Sequence, residues 1–559
     1  MAACALQHQR WRRAGKRLLS YGYLCLFLYL FLTGSATAAL PTTPKAAPMW
    51  TPPLAASTID TTEDPKAMGY PDGRKVARDD NGHLYVAYRK KFKMHAVTAY
   101  HIFVAKSMDN GNSWQVLNQG KPIEEVGDQN QRVPAIAIDS RGTIHVVWYG
   151  KDVSASQGDA NQIKYVRSTD QGQSWSAWRN IAYIDGYTNQ PMWQEHPTIY
   201  VGVNDALFLA WEGYDAQYPT TTQIKFLRST DGGESWSVWQ NIAPSRINHS
   251  RPTVVGNQDG VLYLLAYAQV ASRQQVIVSQ STDNGTTWRE WSRVAPSLLA
   301  QRHISAATDR HGALHVVWQQ ESFSLRALLP KTPAPTPTEV HYARYDGTGW
   351  RDFIRIAPGE GGAQTFPSIQ VSSHRKADQA EWEDTVWVAW SESNGENAPA
   401  SGSTIYATLK AGDTWYPPRA VTAGGEQIYP SFARTPMRYA TVAGTPYSLN
   451  AVDLVWLYNG PEQKQIYFAQ LTETQYRDGG ELLAARAAGL PSIQPGAVSA
   501  PSVYPMAISI QPHRWLLQWI WQWQLTREAQ SLLFILLALA GYLFLKFAFS
   551  RWFATTMDQ

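Results

Sequence analysis

The sequence predicts an all-β protein, a β-propeller of four-stranded antiparallel blades, followed by a C-terminal transmembrane helix. The first observation is the eight-residue pattern S-x-D-x-G-x-x-W, which begins at Ser107, Ser168, Ser229 and Ser281. Its aspartates are separated by 61, 61 and 52 residues, a period that is typical of repeat architectures. The second observation is that the stretches between these patterns alternate apolar and polar residues and are rich in Val, Ile, Tyr and Trp. Such alternation indicates short β-strands.

Each repeat has the same order of segments, which the second repeat shows most clearly. VPAIAI leads into the turn DSRG, TIHVVW leads into a long loop, and QIKYVRS leads into the S-x-D-x-G-x-x-W pattern. With the segment WSAW that follows, we interpret these as four antiparallel strands per repeat. By this order seven repeats open near the following residues: Arg74, Arg132, His196, Arg251, Arg302, Phe366 and Tyr429.

The sequence favours seven blades in a propeller formed by residues 74–471. Six blades are the alternative if one of the weaker repeats is an insertion. The last repeat ends at Leu471 without a fourth strand. Because a ring of blades must close, we expect the N-terminal segment 39–73 to supply the missing strand.

Residues 1–38 have the three parts of a secretory signal peptide. A basic start precedes an apolar run, and Ala36-Thr37-Ala38 is a small-residue cleavage site; an uncleaved signal anchor is the alternative. Both cysteines lie in this segment, so an exported body would contain no disulfide bond, which favours a bacterial envelope. The formal charge of +4 also comes from this segment, because the rest of the chain has 44 basic and 45 acidic residues. That balance argues against a nucleic-acid partner.

The C-terminal part predicts a membrane anchor. Residues 472–512 are rich in Ala, Gly and Pro, which is typical of a flexible stalk. Residues 513–531 carry four tryptophans suited to a membrane interface, and residues 532–550 form an apolar run long enough to cross a bilayer. The basic residues around the end of this run place the tail, residues 551–559, in the cytoplasm. We therefore expect a single-pass protein of the cell membrane with an extracytoplasmic body.

Strand direction assigns the repeated pattern to the scaffold of the propeller. Strands alternate in direction within a blade, so the starts of first strands and the loops between second and third strands share one face, which we call the loop face. The D-x-x-G turns and the S-x-D-x-G-x-x-W patterns lie on the opposite face, which we call the turn face. We expect each Asp to cap its turn, each Gly to supply a positive φ and each Trp to pack between blades; four metal sites are the disfavoured alternative. The residues concerned are Asp109, Gly111, Trp114, Asp170, Gly172, Trp175, Asp231, Gly233, Trp236, Asp283, Gly285 and Trp288.

The loop face carries the candidate binding residues. Four of the seven repeats open with an arginine, and the first strands of a propeller line its central channel. Convergent guanidinium groups repel one another unless an anion lies among them, and a carboxylate fits them bidentately; solvation or salt bridges at the channel mouth are the alternative. These arginines are Arg74, Arg132, Arg251 and Arg302. The same face also presents Asp152, Asp159, Glu195, His196, Glu212, Tyr214, Glu321, Glu392 and Tyr429.

These features resemble the sialidase (neuraminidase) superfamily, whose members carry the same motif, called the Asp-box or BNR repeat, on a propeller. The resemblance covers about residues 74–471, and Arg132-Val133-Pro134 is similar to the family's R-I-P sequence, whose arginine helps to bind the carboxylate of sialic acid. The family also has an acid/base aspartate in a loop between second and third strands. The resemblance implies that role for Asp159, with Asp152 as the second candidate.

The resemblance further implies a tyrosine nucleophile with a glutamate base. A substrate with a carboxylate at its anomeric carbon repels a carboxylate nucleophile, so the family uses tyrosine instead. Tyr429 opens the last repeat at a suitable position, and Glu212 is the candidate base. Because Phe366 opens the preceding repeat in the same form, a role for Tyr429 as a repeat residue only is the alternative.

Taken together, the resemblance implies a membrane-anchored, extracytoplasmic exo-glycoside hydrolase that acts on terminal acidic sugars of glycans. It implies a retaining mechanism without a metal or other cofactor. The alternative is a propeller of the cell envelope that binds a glycan or a protein without turnover. Seven repeats where the family typically has six, and Lys151 in the place of a family arginine, favour that alternative. The substrate linkage and the oligomeric state stay open.

Overall fold

The computed structural model describes residues 56–473 and 476, apart from residues 95, 127–128, 152–159, 183, 185–191, 271–272, 323–337, 358–361, 375–381, 394–401, 423, 435–440, 443–444, 447–450 and 474–475. The predicted signal segment, aromatic segment, membrane span and tail lie outside the described residues, as does nearly all of the predicted stalk. No helix within the described residues is long and apolar enough to cross a membrane.

Seven antiparallel sheets within the described residues form the blades of a propeller, which confirms the predicted all-β fold and the blade count. The first strand of the chain, β1 (Ser57–Thr62), belongs to the last blade. Blade 1 contains β2 (Val76–Arg78), β3 (Leu84–Met94), β4 (Val97–Ser107) and β5 (Gln115–Val116); blade 2 contains β6 (Gln131–Ile138), β7 (Ile144–Gly150), β8 (Gln162–Ser168) and β9 (Arg179–Ala182); blade 3 contains β10 (Gln194–Val201), β11 (Leu207–Gly213), β12 (Gln223–Ser229) and β13 (Gln240–Asn241).

The other four blades follow the same order. Blade 4 contains β14 (His249–Gly256), β15 (Leu262–Val270), β16 (Arg273–Ser281) and β17 (Ser292–Arg293); blade 5 contains β18 (Gln301–Thr308), β19 (Leu314–Glu321), β20 (Thr338–Tyr345) and β21 (Trp350–Arg355); blade 6 contains β22 (Gln364–His374), β23 (Glu383–Ser393), β24 (Ser403–Ala411), β25 (Thr414–Trp415) and β26 (Arg419–Ala420). Blade 7 contains β27 (Gln427–Phe432), β30 (Ala451–Asn459), β31 (Lys464–Thr472) and β1, and a separate hairpin of β28 (Thr441–Val442) and β29 (Thr445–Pro446) lies between β27 and β30 in the chain. Short 3-10 turns occur at Asn118–Gly120 and Val203–Asp205.

The hydrophobic core lies between the blades. Each of the seven clusters of buried apolar residues combines side chains from two neighbouring blades. Trp148 of blade 2, for example, packs in one cluster with Tyr85 and Ile102 of blade 1. Phe468 of blade 7 packs in another with Phe103 of blade 1, so the ring is closed by the same kind of contact that joins the other blades.

Strand β1 completes blade 7 as its outermost strand. It runs antiparallel to β31, with Ser57 opposite Phe468. Side-chain hydrogen bonds also join it to blade 1: among them, Trp114 Nε1 donates to Ser57 Oγ at 2.9 Å, and the Tyr88 hydroxyl donates to Asp60 at 2.6 Å. The chain therefore closes the ring by combining its N-terminal strand with its C-terminal strands, which is the solution expected for a last repeat without a fourth strand.

The Asp-box aspartates cap their own turns. In the second box, Asp170 accepts hydrogen bonds from the Ser174 backbone N–H at 2.9 Å and from the Ser174 and Ser168 hydroxyls at 2.5 and 2.7 Å. Burial alone would raise the pKa of Asp170, but these hydrogen bonds lower it. The same bonds recur in the other three boxes, where the acceptors are Asp109, Asp231 and Asp283. Each carboxylate is used within its own turn, as expected for a scaffold role.

The box glycines and tryptophans position each box against the preceding blade. The four glycines have φ between +77° and +88°, a region in which side chains cause strain. A Cβ on Gly233 would lie 2.0 Å from the Tyr165 hydroxyl of blade 2. Trp236 packs edge-on against the same tyrosine with ring centroids 5.3 Å apart, and Trp288 packs in the same way against Phe226 at 5.0 Å.

Candidate functional site

The first strands of blades 2 to 7 share a bulge near their loop-face ends. In each of them one residue has a positive φ of 45–57°, and the strand register shifts at that place. A glutamine lies two positions before this residue in five of the six blades, and a proline follows it in five. A positive φ strains any residue with a side chain and is often found at functional sites. The six bulge residues are Val133, His196, Arg251, His303, Phe366 and Tyr429.

Tyr70 lies at the centre of the bulge residues. Its ring centroid is 5.6 Å from that of His303 and 6.0 Å from that of Tyr429, and the guanidinium carbon of Arg251 lies 3.9 Å from the centroid. The remaining ring contacts, each at 6.2 Å, are with His196 and Phe366. Because these residues come from five different blades, Tyr70 marks the propeller axis at the loop face. We call Tyr70 and the bulge residues around it the axial site.

The segment that carries Tyr70 is anchored before and after the axis. Asp64 and Arg89 form a buried ion pair, and Arg89 Nη2 donates to Asp64 at 3.1 Å. Gly69 is so close to the bulge residue Val133 that a Cβ would lie 3.0 Å from it. Lys75, which follows, donates to the Pro134 carbonyl at 2.6 Å. The N-terminal segment therefore crosses the channel in a fixed course instead of only supplying the closing strand.

His196, Glu212 and Arg251 form a connected polar group at the axial site. His196 Nδ1 lies 2.8 Å from Glu212 Oε1, and the Arg251 backbone N–H donates to Glu212 Oε2 at 2.5 Å. Burial alone would raise the pKa of Glu212, but His196 and Arg251 together lower it. The carboxylate is thus ionised and accepts a hydrogen bond from the Nδ1–H group of His196. This arrangement fixes the imidazole and leaves Nε2 as its second site for a proton.

The guanidinium of Arg251 has one unused donor. Its Nη1 nitrogen is buried and makes no hydrogen bond within the described residues. Burial alone would lower the pKa of Arg251, but Asp72 and Glu212 raise it, so the group is a permanent cation. Asp72 is buried as well, and its Oδ1 also lacks a hydrogen bond in the described part of the chain. Since unsatisfied buried polar atoms cost free energy, these two atoms mark a place where a polar ligand or water would be stabilised.

The predicted convergence of four arginines is not present in the structure. Arg251 is the bulge residue of blade 4, whereas Arg132 and Arg302 each precede a bulge residue and are exposed. Arg74 is buried in the channel, where its Nη2 donates to the carbonyls of Ala306 and Ile369 at 2.9 and 2.6 Å. A shift of one residue along a strand moves a side chain to the opposite face of the sheet. The shared position at the start of a repeat therefore did not give these arginines a shared environment.

The predicted nucleophile and base are both at the axial site, but they do not contact each other. The ring of Tyr429 packs on Phe366 with centroids 4.5 Å apart, and burial raises its pKa to about 12. Its hydroxyl makes no hydrogen bond to a described residue. Glu212 instead accepts hydrogen bonds from His196 and Arg251. The predicted acid/base residue Asp159 and the second candidate Asp152 lie outside the described residues.

Three other polar residues predicted on the loop face have local partners. Asn161 donates to Glu195 at 2.6 Å, and Arg273 pairs with Glu321 at 3.2 Å. The Trp390 indole donates to Glu392 at 3.0 Å, and burial raises the pKa of Glu392. These contacts make the three carboxylates part of the blade edges. Tyr214, also predicted on this face, is half-buried.

One group of described residues has the composition of a metal site. Glu195, His196 and Glu212 each offer a ligand atom, and these atoms lie within 4.8 Å of one another. Their contacts, however, already engage these atoms, since His196 Nδ1 is hydrogen-bonded to Glu212 and the cation of Arg251 lies nearby. A divalent ion would have to displace that hydrogen bond beside a fixed positive charge. We therefore treat the group as a proton-transfer pair with a neighbouring carboxylate, and the expectation of a site without metal stays a prediction.

Comparison with known proteins agrees with the repeat and the fold. Residues 116–378 match the family model described as a BNR repeat-like domain. This part of the chain is thus similar to a BNR repeat-like domain. The resemblance to the Asp-box propellers of the sialidase superfamily is thereby confirmed at the level of the repeat and the architecture. Among curated proteins, no sequence matches this chain significantly.

Several solved structures are similar to this propeller at low sequence identity. A protein of unknown function from Dyadobacter fermentans is 16% identical, with a TM-score of 0.43, over 64% of this chain and 99% of its own. A Hadza microbial sialidase is 17% identical, with a TM-score of 0.40, over 64% of this chain and 68% of its own. A polysaccharide lyase described as an ulvan lyase is 12% identical, with a TM-score of 0.44, over 79% of this chain and 99% of its own. Likeness at this level assigns no substrate.

Several residues at the axial site were not predicted from the sequence. Tyr70 and Asp72 lie in segment 39–73, for which the sequence predicts only a leader with a closing strand, and Lys75 directly follows Arg74 at the start of the predicted propeller. His303 was not singled out because the repeat was considered to open at Arg302. The recurring Q-x-x-P sequence is the signal that would have identified the bulge residues, since it occurs at Gln131, Gln194, Gln364 and Gln427.

Proposed function

We propose that this BNR propeller acts on glycans with a terminal acidic sugar, as a sialidase-like exo-glycoside hydrolase. In this proposal residues 1–38 direct export, residues 532–550 anchor the protein and the propeller works outside the cytoplasm. One observation carries the proposal: the charged Arg251 guanidinium, with an unused buried donor, adjoins the His196–Glu212 pair at the propeller axis. The axial site thus combines an anion-binding group with a proton-transfer group.

Arg251 is the residue that would bind the carboxylate of the sugar. A guanidinium binds a carboxylate through two parallel N–H donors, and Nη1 of Arg251 is without a partner in the described part of the chain. The guanidinium carbon lies 3.9 Å from the centroid of the Tyr70 ring, and this contact restricts the position of the group. Aromatic rings of Tyr70 and Tyr429 would then contact the apolar faces of the sugar.

His196 is the residue that would transfer a proton to the glycosidic oxygen. Glu212 accepts a hydrogen bond from Nδ1, so the imidazole is oriented and Nε2 is the atom that would deliver the proton. Release of that proton to the leaving group would return the neutral imidazole. General acid catalysis of this kind contributes roughly 10²- to 10⁴-fold to a rate.

A retaining mechanism with Tyr429 as the nucleophile stays a separate prediction. It requires a base within hydrogen-bond reach of the tyrosine hydroxyl, and the partners of Glu212 are His196 and Arg251 instead. A pKa raised to about 12 also leaves the Tyr429 hydroxyl a weak nucleophile at neutral pH. The proposal therefore assigns proton transfer to His196, and tests Tyr429 separately.

A second candidate function is binding of an acidic glycan without turnover. It is favoured by the position of Tyr70, which occupies the centre of the axial site, and by the absence of a hydrogen-bonded partner for Tyr429 among the described residues. Both functions use Arg251 for the carboxylate, so they differ only in whether a bond is cleaved.

The test compares variants of the purified full chain on a fluorogenic sialoside and on glycans that end in a uronic acid. We expect Arg251→Gln and His196→Gln to lower kcat/KM by roughly 10²-fold or more, because each removes a group used in the reaction. Tyr429→Phe is expected to change kcat/KM by less than about tenfold. Arg293→Gln, at an exposed position in the outermost strand of blade 4, is the control for loss of one positive charge.

Each result assigns or rejects a role. Turnover that disappears with Tyr429→Phe and persists with His196→Gln would restore the tyrosine route and reject the histidine. Saturable binding that depends on Arg251, with no product from any of these glycans, would establish the second function. Neither turnover nor Arg251-dependent binding would reject both.

A further inference from the structure

A cavity lies in the central channel, at its turn-face end. It has a volume of about 480 Å³ and is lined by residues from all seven blades. Its rim includes the exposed residues Asp80, Asn204 and Gln258, which belong to turns after first strands. A volume of this size accommodates a small organic ligand or a hydrated ion. None of the bulge residues of the axial site lines this cavity.

The buried Arg74 and the half-buried Arg434 form part of the cavity lining without an acidic partner within the described residues. Arg74 comes from the segment before β2, and its donors are used by backbone carbonyls and by the Ser368 hydroxyl. Arg434 lies two residues after the end of β27, and its Nη2 donates to the Val254 carbonyl at 2.7 Å. Its guanidinium carbon lies 4.4 Å from the ring centroid of Tyr200. The second terminal nitrogen of Arg434, Nη1, is buried and has no hydrogen bond within the described part of the chain.

The acidic residues of the cavity do not neutralise these arginines, because they are engaged elsewhere. Asp453 pairs with Arg78 at 2.6 Å. Asp139 accepts hydrogen bonds from the backbone N–H groups of its own turn, and Asp205 accepts one from the backbone of Ser140 at 2.9 Å. Asp79 caps the corresponding turn of blade 1. Two positive charges thus lie together at the channel-side end of the cavity, while negative charges lie around its turns.

The electrostatics of the pair agree with a missing counter-ion. Burial and, to a smaller extent, the charge of Arg434 lower the pKa of Arg74 to about 9. Burial lowers the pKa of Arg434 to about 10. Two neighbouring cations removed from water are stabilised by an anion between them. The unused Nη1 donor of Arg434 supplies a hydrogen bond for that anion.

We propose that the turn-face cavity is a binding site for one small oxyanion, which Arg434 binds through Nη1 and Arg74 stabilises by its charge. The ligand group is a carboxylate, a sulfate or a phosphate, and it is either a free ion or part of a small acidic sugar. The aspartates around the turns disfavour polyanions. The proposal is independent of the function assigned to the axial site, which lies on the other face.

Isothermal titration of the purified full chain at constant ionic strength tests this site with sodium sulfate, sodium phosphate, glucuronate and neutral glucose. We expect saturable binding of at least one oxyanion at one site per chain, and no binding of glucose there. Arg434→Gln should weaken that binding at least tenfold, and Arg434→Lys should weaken it less, because the charge remains. Arg293→Gln is the control for net charge, and Arg251→Gln separates this cavity from the axial site.

The competing outcomes are distinct. Binding of inorganic ions identifies a free oxyanion as the ligand, whereas binding of glucuronate alone identifies an acidic sugar. No saturable heat with any oxyanion, or equal affinity in wild type and Arg434→Gln, would overturn the proposal. Glucuronate binding that is lost only with Arg251→Gln would also overturn it and would place the sugar at the axial site. Near-UV circular dichroism of each variant verifies that its fold is retained.

Discussion

His249 is the residue at which the repeated glutamine of the first strands is replaced by an ionisable group. The glutamines at the corresponding positions of other blades are buried and donate to backbone carbonyls, as Gln131 does to Gln129 and Lys151. His249 is 2% exposed, and burial lowers its pKa to about 4. The neutral histidine does not replace the hydrogen bonds of the glutamine amide, because its Nε2 lies 3.3 Å from Ser245 Oγ and its Nδ1 has no hydrogen bond within the described residues.

The burial of neutral His249 predicts an acid-sensitive stability that His249→Gln removes. Between its unfolded pKa of roughly 6.5 and its folded pKa of about 4, the unfolded chain binds a proton that the folded chain does not. The free energy of unfolding of the wild type is thus expected to fall as the pH decreases through that window, by up to ~3 kcal/mol from this residue. Below about pH 4 the contribution of this residue levels off. Urea unfolding at several pH values measures the effect.

The control for this prediction is His311→Gln, since the His311 side chain is 69% exposed. The His249→Gln protein should show a smaller loss of stability between pH 6.5 and 4 than either the wild type or this control. Equal pH slopes for all three proteins would show that His249 is not the group responsible.

The elements of this propeller are defined by two local devices, the Asp-box turn and the bulge of the first strand. In each Asp box the aspartate accepts hydrogen bonds from residues of its own turn, so the turn is defined by local contacts. The bulge, in contrast, gives six residues with side chains a positive φ and moves them to the axis. Such strain persists only where the surrounding structure fixes it, here the flanking proline and the buried glutamine.

Gly233→Ala in the third Asp box is expected to destabilise the propeller more than Gly142→Ala in a D-x-x-G turn. Both glycines have a positive φ, +82° and +79°, so both variants incur backbone strain of roughly 1 kcal/mol. Only at Gly233 would the added Cβ clash, at 2.0 Å from the Tyr165 hydroxyl, whereas no atom lies within 4 Å at Gly142. The clash adds about 1–3 kcal/mol. Chemical unfolding of the two variants measures the difference, and equal losses would mean that the box does not pack on the preceding blade as described.

At the scale of the whole molecule, the propeller is held together by contacts between neighbours and by closure of the ring. Seven clusters of buried apolar residues join the blades. Strand β1, residues 57–62, pairs with β31 and so joins the N-terminal segment to blade 7. The same N-terminal segment continues to Tyr70 at the axis. Closure and the candidate site are therefore coupled through residues 57–75.

Ile59→Ala in the closing strand is expected to destabilise the entire propeller in a single transition. Ile59 is 6% exposed within the cluster that joins blades 7 and 1, and truncation of a buried isoleucine costs about 2–4 kcal/mol. Tryptophan fluorescence and far-UV circular dichroism should report the same shifted midpoint. Val238→Ala, at a residue that is 88% exposed, is the control and should change stability by less than about 0.5 kcal/mol. A separate early transition for one blade would contradict cooperative closure.

The sequence by itself determined the repeat, the strand order and the blade count. These follow from local signals, because the S-x-D-x-G-x-x-W pattern and the two-residue alternation are read within about 60 residues. The need for a closing strand was also predictable, since an incomplete last repeat shows it. The role of the Asp boxes was predictable for the same reason, because their hydrogen bonds lie within one turn.

Only the tertiary structure decided which side chains meet at the axis. A bulge shifts the register by a single residue, and this shift separates Arg251 from Arg132 and Arg302. Arg74 precedes β2, a strand in which no such bulge is described, and lines the cavity at the other end of the channel. Tyr70 reaches the centre through a segment with no regular pattern, so periodicity gave no indication of it. Composition and repeats specify elements, but contacts between residues far apart in the chain depend on register and closure, which are properties of the assembled ring.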